Sequence, residues 1–344
     1  MRVAIIGCGS IARQRHAHEY SLNSNVEIAG FFDFVSERAQ ELAEEYGSKA
    51  YSSLDELLED KSVDAVSVCV ANAYHAETTI KALRSGKHVL CEKPMAISLE
   101  DCEEMIKEAE RSGKRLMIGH NQRLTPAHRR AKEIIASGEM GKVLTFFSMF
   151  GHGGPESWSI EKSRNTWFFK KSSAAFGSIA DLGIHKIDLI RYLLGDEIDD
   201  VYSRMCVLDK TFEDGTPIEV DDNSVEILKF RNGAFGTVTT SWTVYGTEFN
   251  QSVICLEKGV LKLYSDPEYS LIIIHSDGRE EKLALDRIQT NSDEQQASSG
   301  VIDEFVSAIL ENRPSILDAT DIIKSMRAVF ACQRSDKSGK AEKV

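Results

Sequence analysis

Lys93 closes a short apolar run, His88-Val89-Leu90-Cys91, with Glu92 before it and Pro94 after it. An ammonium at the end of a strand can orient a hydroxyl and lower its pKa, and strand ends are where open α/β sheets place their ligands. The plain alternative is a lysine whose stem lies on apolar surface and whose head stays in water. A second set of chemistry-bearing residues follows the serine at 178. From there to Gly195 the spacing predicts one helix, with Ser178 as its cap and the glycine just past its end. At about 100° per residue, Asp181, His185, Asp188 and Tyr192 share a polar face opposite Ile179, Leu182, Leu189, Ile190 and Leu193. Asp181 and His185 then sit one turn apart, where a carboxylate can orient an imidazole and raise its pKa. Proton transfer is the chemistry these residue types suit.

Such groups need a scaffold, and the amino terminus supplies a legible one. Arg2-Val3-Ala4-Ile5-Ile6 reads as a buried strand running into Gly7-Cys8-Gly9-Ser10-Ile11-Ala12 and then a helix. This is G-x-G-x-x-A in the context it requires: glycines for a tight turn, and the free N–H groups of Ser10 and Ile11 opening a helix that can seat a pyrophosphate. A second strand, 26–32, ends at Asp33, placed to hold a ribose 2′-hydroxyl or simply to cap the helix that follows. A carboxylate there repels a 2′-phosphate, which predicts NAD over NADP. Arg38 could answer such a phosphate, but its place inside the next helix predicts a surface role.

Strands expected near 2–6, 26–32, 64–70, 87–91 and 115–119 alternate with helices near 11–23, 36–46, 54–60, 75–85 and 98–112. That alternation predicts a doubly wound parallel sheet. After about residue 122 the pattern changes to a helix near 126–137 and period-two strands near 143–150, 200–208, 223–230, 234–243, 252–257, 259–264 and 270–275. The expected fold is therefore α/β, with a Rossmann domain over 1–122 and, over 123–344, an α/β domain with a large, mostly antiparallel, open-faced sheet. Arg231-Asn232-Gly233 and Ser276-Asp277-Gly278 read as turns. The 344 residues are enough for two cores. A formal net charge of −13 disfavours nucleic acid. The seven scattered cysteines read as reduced core residues. A strand beginning at residue 2 and the lack of a long apolar run predict a cytoplasmic protein with no membrane span. His16 and His18, two apart, are expected on different faces, and no metal site is predicted. His152 reads as a solvated loop residue, and Lys337 to Val344 as a frayed end.

Taken together, Gly7 to Ala12, Asn72 with His75, Glu92-Lys93-Pro94 and the run Asp181 to Asp188 resemble the Gfo/Idh/MocA family of NAD(P)-dependent oxidoreductases, in order and along essentially the whole chain. The resemblance implies oxidation or reduction of a hydroxyl-bearing carbon on a sugar, cyclitol or related compound. It implies Lys93, Asp181 and His185 as the catalytic set, and Gly7, Gly9, Ser10, Ile11, Ala12, Asp33, Asn72, His75, Glu92 and Lys93 around the dinucleotide. On that expectation His185 takes the hydroxyl proton, Lys93 stabilises the alkoxide and Asp181 orients His185. The resemblance also implies a homodimer or homotetramer built on the open sheet. Rough alignment with relatives places Asn121, Arg123 and Tyr245 at the cleft as weaker candidates, with Arg123 alternatively a surface charge or an ion-pair partner.

Two departures lie near the substrate. Ala175-Phe176-Gly177 stands where many members carry three glycines, so that Phe176 can narrow the pocket or stack on a sugar ring, and Val70-Ala71 replaces a usual Thr-Pro. The segment 151–176, with Trp158, Arg164, Asn165, Trp167 and Phe168, is the expected source of specificity for a polyhydroxylated ligand, or else an aromatic-anchored loop. Three function classes remain open: a dehydrogenase, an NAD-retaining redox-assisted glycosidase, and a non-catalytic NAD-binding sensor. The aligned proton-transfer set favours the first.

Overall fold

Val3, Ala4, Ile5 and Ile6 are buried, as a strand covered by helices on both faces must be. In the computed structural model, which describes residues 1–287 and 298–344, they form β1 (Arg2–Ile6) at the centre of a six-stranded sheet. Its companions are β2 (Glu27–Phe32), β3 (Lys49–Ala50), β4 (Ala65–Val68), β5 (His88–Cys91) and β6 (Leu116–Ile118). The order is β3-β2-β1-β4-β5-β6, and every pairing is parallel. The strand order reverses between β1 and β4, and a crevice opens there beyond their carboxyl ends.

The second sheet has nine strands: β7 (Val143–Gly151), β8 (Ile198–Cys206), β9 (Asn223–Phe230), β10 (Phe235–Ser241), β11 (Phe249–Leu256), β12 (Gly259–Leu263), β13 (Leu271–His275), β14 (Glu280–Leu283) and β15 (Glu342–Lys343). All neighbours run antiparallel except β7 and β10. The expected turns at Asn232-Gly233 and Asp277-Gly278 are present, each glycine at positive φ. The carboxyl terminus is not frayed, as the sequence suggested: β15 pairs with β8 and closes that edge of the sheet. Helices cover one face, and on the other Phe147, Val225, Ile227, Phe235 and Phe249 remain exposed.

The helix Ile184–Leu194 is the spine of the second half. Ile184, Ile187, Leu189, Ile190 and Leu193 are wholly buried, each stabilising by about 1.5–3 kcal/mol relative to exposure. Gly195 ends it in the left-handed conformation, as expected. Its start differs from the expectation. Residues Ile179–Gly183 form a π-helical turn, and Ser178 does not cap it. The cap comes instead from Asp221, whose carboxylate accepts hydrogen bonds from the Gly177 and Ile179 amides and the Ser178 hydroxyl at 2.8–2.9 Å. A side chain at Gly177 would place its Cβ 1.8 Å from the Asp221 carbonyl oxygen, so this contact demands glycine. The expected helix 11–23 is likewise divided, into a π-helical turn Ala12–Ala17 and an α-helix His18–Leu22. Near the carboxyl end, the helix Val301–Leu310 returns to pack against β1 through Val301, Ile302 and Phe305. No helix among the described residues is long and apolar enough to cross a membrane.

Candidate active site

A cleft of about 320 Å³ lies at the carboxyl ends of β1, β2, β4 and β5 and is walled on its far side by the second half of the chain. The glycine turn forms one end. Gly7 has φ +94°, and a Cβ there would meet the Cys69 carbonyl at 2.6 Å. Gly9 has nothing within 4 Å of where its Cβ would be, which leaves the backbone open to a ligand. Ser10 and Ile11 line the cleft beside it, and Ala12 is buried beneath the turn. Asp33 stands at the rim, accepting from the amides of Cys8 at 2.6 Å and Val35 at 2.8 Å. A diphosphate on the helix start and a ribose at Asp33 fit this cradle.

The ends of β4 and β5 are tied together by His75, whose ring reaches the carbonyls of Pro94 and Val70 at 2.7 and 3.0 Å. Asn72 reaches across to the second half and donates to the Ala174 carbonyl at 3.2 Å. Glu92 is locked from below: His16 Nε2 lies 2.9 Å from Glu92 Oε1, and His16 Nδ1 lies 3.0 Å from the Ser67 hydroxyl. Burial works to raise the Glu92 carboxyl, but the His16 hydrogen bond and charge, with Arg15 and Lys93, bring it down to about 2. It remains a carboxylate whose second oxygen accepts the Lys93 amide at 3.1 Å.

Lys93 Nζ donates to both the carbonyl oxygen and Oδ1 of Asp181, each at 2.9 Å. The other Asp181 oxygen accepts from Trp242 Nε1 at 3.1 Å and lies 3.8 Å from His152 Nε2. Burial works to raise Asp181, and the Lys93 charge, helped by His152 and the two hydrogen bonds, outweighs it and lowers the carboxyl. The expected Asp181–His185 hydrogen bond is absent. The π-helical turn at Ile179–Gly183 breaks the α-helical spacing on which that expectation rested. His185 makes no hydrogen bond among the described residues, and its Nδ1 is buried without a partner. Burial, then the charges of Lys93, His120 and Arg15, hold its pKa well below the usual histidine value. The imidazole is therefore neutral, opposite in sign to the shift expected from an aspartate partner.

The segment after β7 closes the cleft. Trp158, Trp167 and Phe168 line it, with Trp167 stacked on Phe168 at 3.8 Å. The same segment reaches the glycine turn: Ser10 Oγ donates to the Trp158 carbonyl at 3.2 Å, and Arg38 pairs with Glu161 at 3.4 Å. Phe176 is buried against Phe330 and lines the cleft, as does Asn121.

Residues 1–120 match the oxidoreductase family with an NAD-binding Rossmann fold, and residues 128–262 match the GFO/IDH/MocA C-terminal domain. The chain belongs to the Gfo/Idh/MocA oxidoreductase family. It is 33% identical to glucose-6-phosphate 3-dehydrogenase of Bacillus subtilis over 70% of this chain and 67% of that one. Identity to myo-inositol 2-dehydrogenase of Thermotoga maritima is 32%, over 72% and 70%. A crystal structure of aldose-aldose oxidoreductase from Caulobacter crescentus complexed with glycerol superimposes with a TM-score of 0.85 at 25% identity, covering 100% of this chain and 99% of that one. The chain is thus an NAD-dependent oxidoreductase.

Within the family fold, two residues expected at the cleft lie elsewhere. Arg123 is buried in ion pairs with Asp188 at 2.6 Å and Asp321 at 2.8 Å and does not line the cleft. Its guanidinium is consumed by helix packing. Tyr245 is exposed, with its hydroxyl on Asp209, and it also stands off the cleft. His152 is buried rather than solvated: its Nδ1 accepts the Gly154 amide at 3.0 Å, which leaves the ring proton on Nε2, facing Asp181. His16 points inward to Glu92, 76 residues away in sequence, a contact helical spacing does not report. Trp242, at the end of β10, carried no sequence signal except its place beside a strand end. Gln122 and Asn250, hydrogen-bonded to each other at 3.3 Å, also line the cleft unannounced.

Proposed function

We propose that the protein oxidises a secondary alcohol carbon of a sugar, sugar derivative or cyclitol, with His185 as the acid–base group. The observation that carries this is the meeting of two unlike groups in one cleft: an ammonium clamped by Asp181 and a neutral, unpartnered imidazole. Bound NAD supplies the hydride acceptor. Lys93, held from two sides, orients the substrate hydroxyl and stabilises negative charge as it develops on that oxygen. His185, neutral at physiological pH, receives the hydroxyl proton and returns it readily in the reductive direction. Asp181 acts on Lys93, fixing its position rather than that of His185. Trp158, Trp167, Phe168 and Phe176 supply faces for a ring, and Asn121 with Gln122 supplies polar groups for its hydroxyls.

The names of the relatives, a sugar-phosphate and an inositol dehydrogenase, support a polyhydroxylated substrate. NAD is favoured over NADP because the Asp33 carboxylate at the cleft rim would repel a 2′-phosphate and Glu161 pairs with Arg38. The bare apolar face around Phe147, Ile227 and Phe235 supports a homo-oligomer formed through the nine-stranded sheet. One observation favours a second reading, a retained cofactor: the contacts of Trp158 and Glu161 with the glycine turn and Arg38 strap the cofactor groove. Reduction of NAD by a panel of inositols, aldoses and sugar phosphates, followed by absorbance, tests the first reading. Turnover on one class, lost in Lys93→Met, supports it. Silence across the panel, with NAD carried through purification and a glycoside cleaved without added cofactor, supports the second.

A further inference from the structure

Three arginine and lysine side chains line the cleft among the described residues: Arg15, Arg38 and Lys93. Lys93 is held by Asp181 and Arg38 by Glu161. Arg15 is only 7% exposed, makes no side-chain hydrogen bond or ion pair with any described residue, and has its Nε buried without an acceptor. The π-helical turn Ala12–Ala17 sets its direction: Arg15, His16 and Ala17 are all buried, while Gln14 faces water. Turns of this kind recur at functional sites.

Arg15 lines the same cleft as the glycine turn, Lys93 and His185. Its charge bears on Glu92 and His185 in the same cleft and on Cys69 just beyond β4. A buried guanidinium whose donors meet no acceptor is unfavourable even with the Glu92 charge in the same cleft, and its planar fork of donors matches a phosphate. We infer that Arg15 is a phosphate-binding residue, completed by a phosphate oxygen of a bound ligand. The cofactor diphosphate is the expected source, and a phosphorylated substrate is the other. The inference rests on the dinucleotide reading only for the identity of that first source.

Calorimetric titration of NADH, ADP-ribose and, with NAD present, glucose and glucose 6-phosphate into wild type, Arg15→Gln and Arg15→Lys tests it. The expected result is at least tenfold weaker binding of NADH and ADP-ribose by Arg15→Gln, partly restored in Arg15→Lys. The ligand-free Tm of Arg15→Gln should stay within a few degrees of wild type, because no side-chain hydrogen bond or ion pair is lost. Unchanged NADH affinity with a tenfold loss for glucose 6-phosphate alone assigns the phosphate to the substrate. A lower Tm with unchanged affinities, or no probe separating the variants from wild type, overturns the inference. Should Arg15→Gln fail to fold, Arg15→Lys carries the same comparison. Failure of wild type to bind NADH would count against the cofactor reading itself, and the sugar-phosphate titration would then judge Arg15 alone.

Discussion

Asp181 and Asp188 lie seven residues apart on one helical segment, both buried and both paired to a cation, yet the two regions do different things. Asp188 is saturated: Arg123 donates to both of its oxygens at 2.6 and 2.7 Å, Ser325 adds a hydrogen bond at 2.7 Å, and His120 stands 3.5 Å away. Burial works to raise its carboxyl, and the Arg123 charge, with His120 and the hydrogen bonds, overrides it and holds the pKa far below the usual carboxylate range. Asp181 is also lowered, but its cation, Lys93, still lines the cleft, and His185 beside it has no partner. An ion pair whose donors are all used holds helices together. One whose ammonium still faces a cavity can act on a ligand. Residue type and burial do not separate the two cases; spare hydrogen-bonding capacity at the cavity wall does.

His185→Asn should have the largest effect. Turnover should fall by about 10²- to 10⁴-fold, with NADH affinity and Tm nearly unchanged. Turnover within threefold of wild type would remove His185 from the proton transfer. Arg123→Met should do the reverse. It strands Asp188 in the interior and should cost about 3–5 kcal/mol of stability in denaturant titration, while kcat/KM at 25 °C changes less than tenfold. A variant as stable as wild type but inactive would place Arg123 at the chemistry after all.

Acid separates the same groups by pH. Burial is the first cause lowering His120, to about 4, and His185, well below the ordinary histidine value of 6.5. A folded pKa below the unfolded one means that the unfolded chain binds more protons between the two. Stability present above about pH 6.5 is therefore lost as pH falls through the folded values. Tm should decline between about pH 6.5 and 4, whereas the contributions of Asp181 and Asp188 are lost only below 3.8, the ordinary aspartate value. A flat Tm over the upper window would contradict neutral buried histidines. The smallest effect belongs to Glu161→Ala. Its pair with Arg38 is about a third exposed on both sides, and removing it should change NADH affinity by less than about 1 kcal/mol. A larger loss would mark Glu161 as a ligand contact rather than a strap.

Local chemistry was legible from the chain alone. The glycine turn, Asp33 and the run Glu92-Lys93 are covalent neighbours of strands whose apolar pattern announces them, so their place at the sheet end follows from strand–turn–helix geometry. The alternation of elements likewise carried the doubly wound sheet and the change to a second, largely antiparallel one.

Partnership was not legible. Asp181 and His185 share a helix face at α-helical spacing, but the π-helical turn moved Asp181 to Lys93, 88 residues away in sequence. Arg123 read equally as a cleft residue or an ion-pair partner, and only its contacts with Asp188 and Asp321 decided for the pair. His152, Trp242 and Arg15 carry no period or motif, because what makes each matter is a contact from another element. Sequence determined which functional groups are carried on which strands and helices, since backbone geometry acts over a few residues. Only the tertiary structure decided which charges neutralise one another and which remain open to the cleft, since burial and through-space electrostatics act between residues the chain keeps far apart.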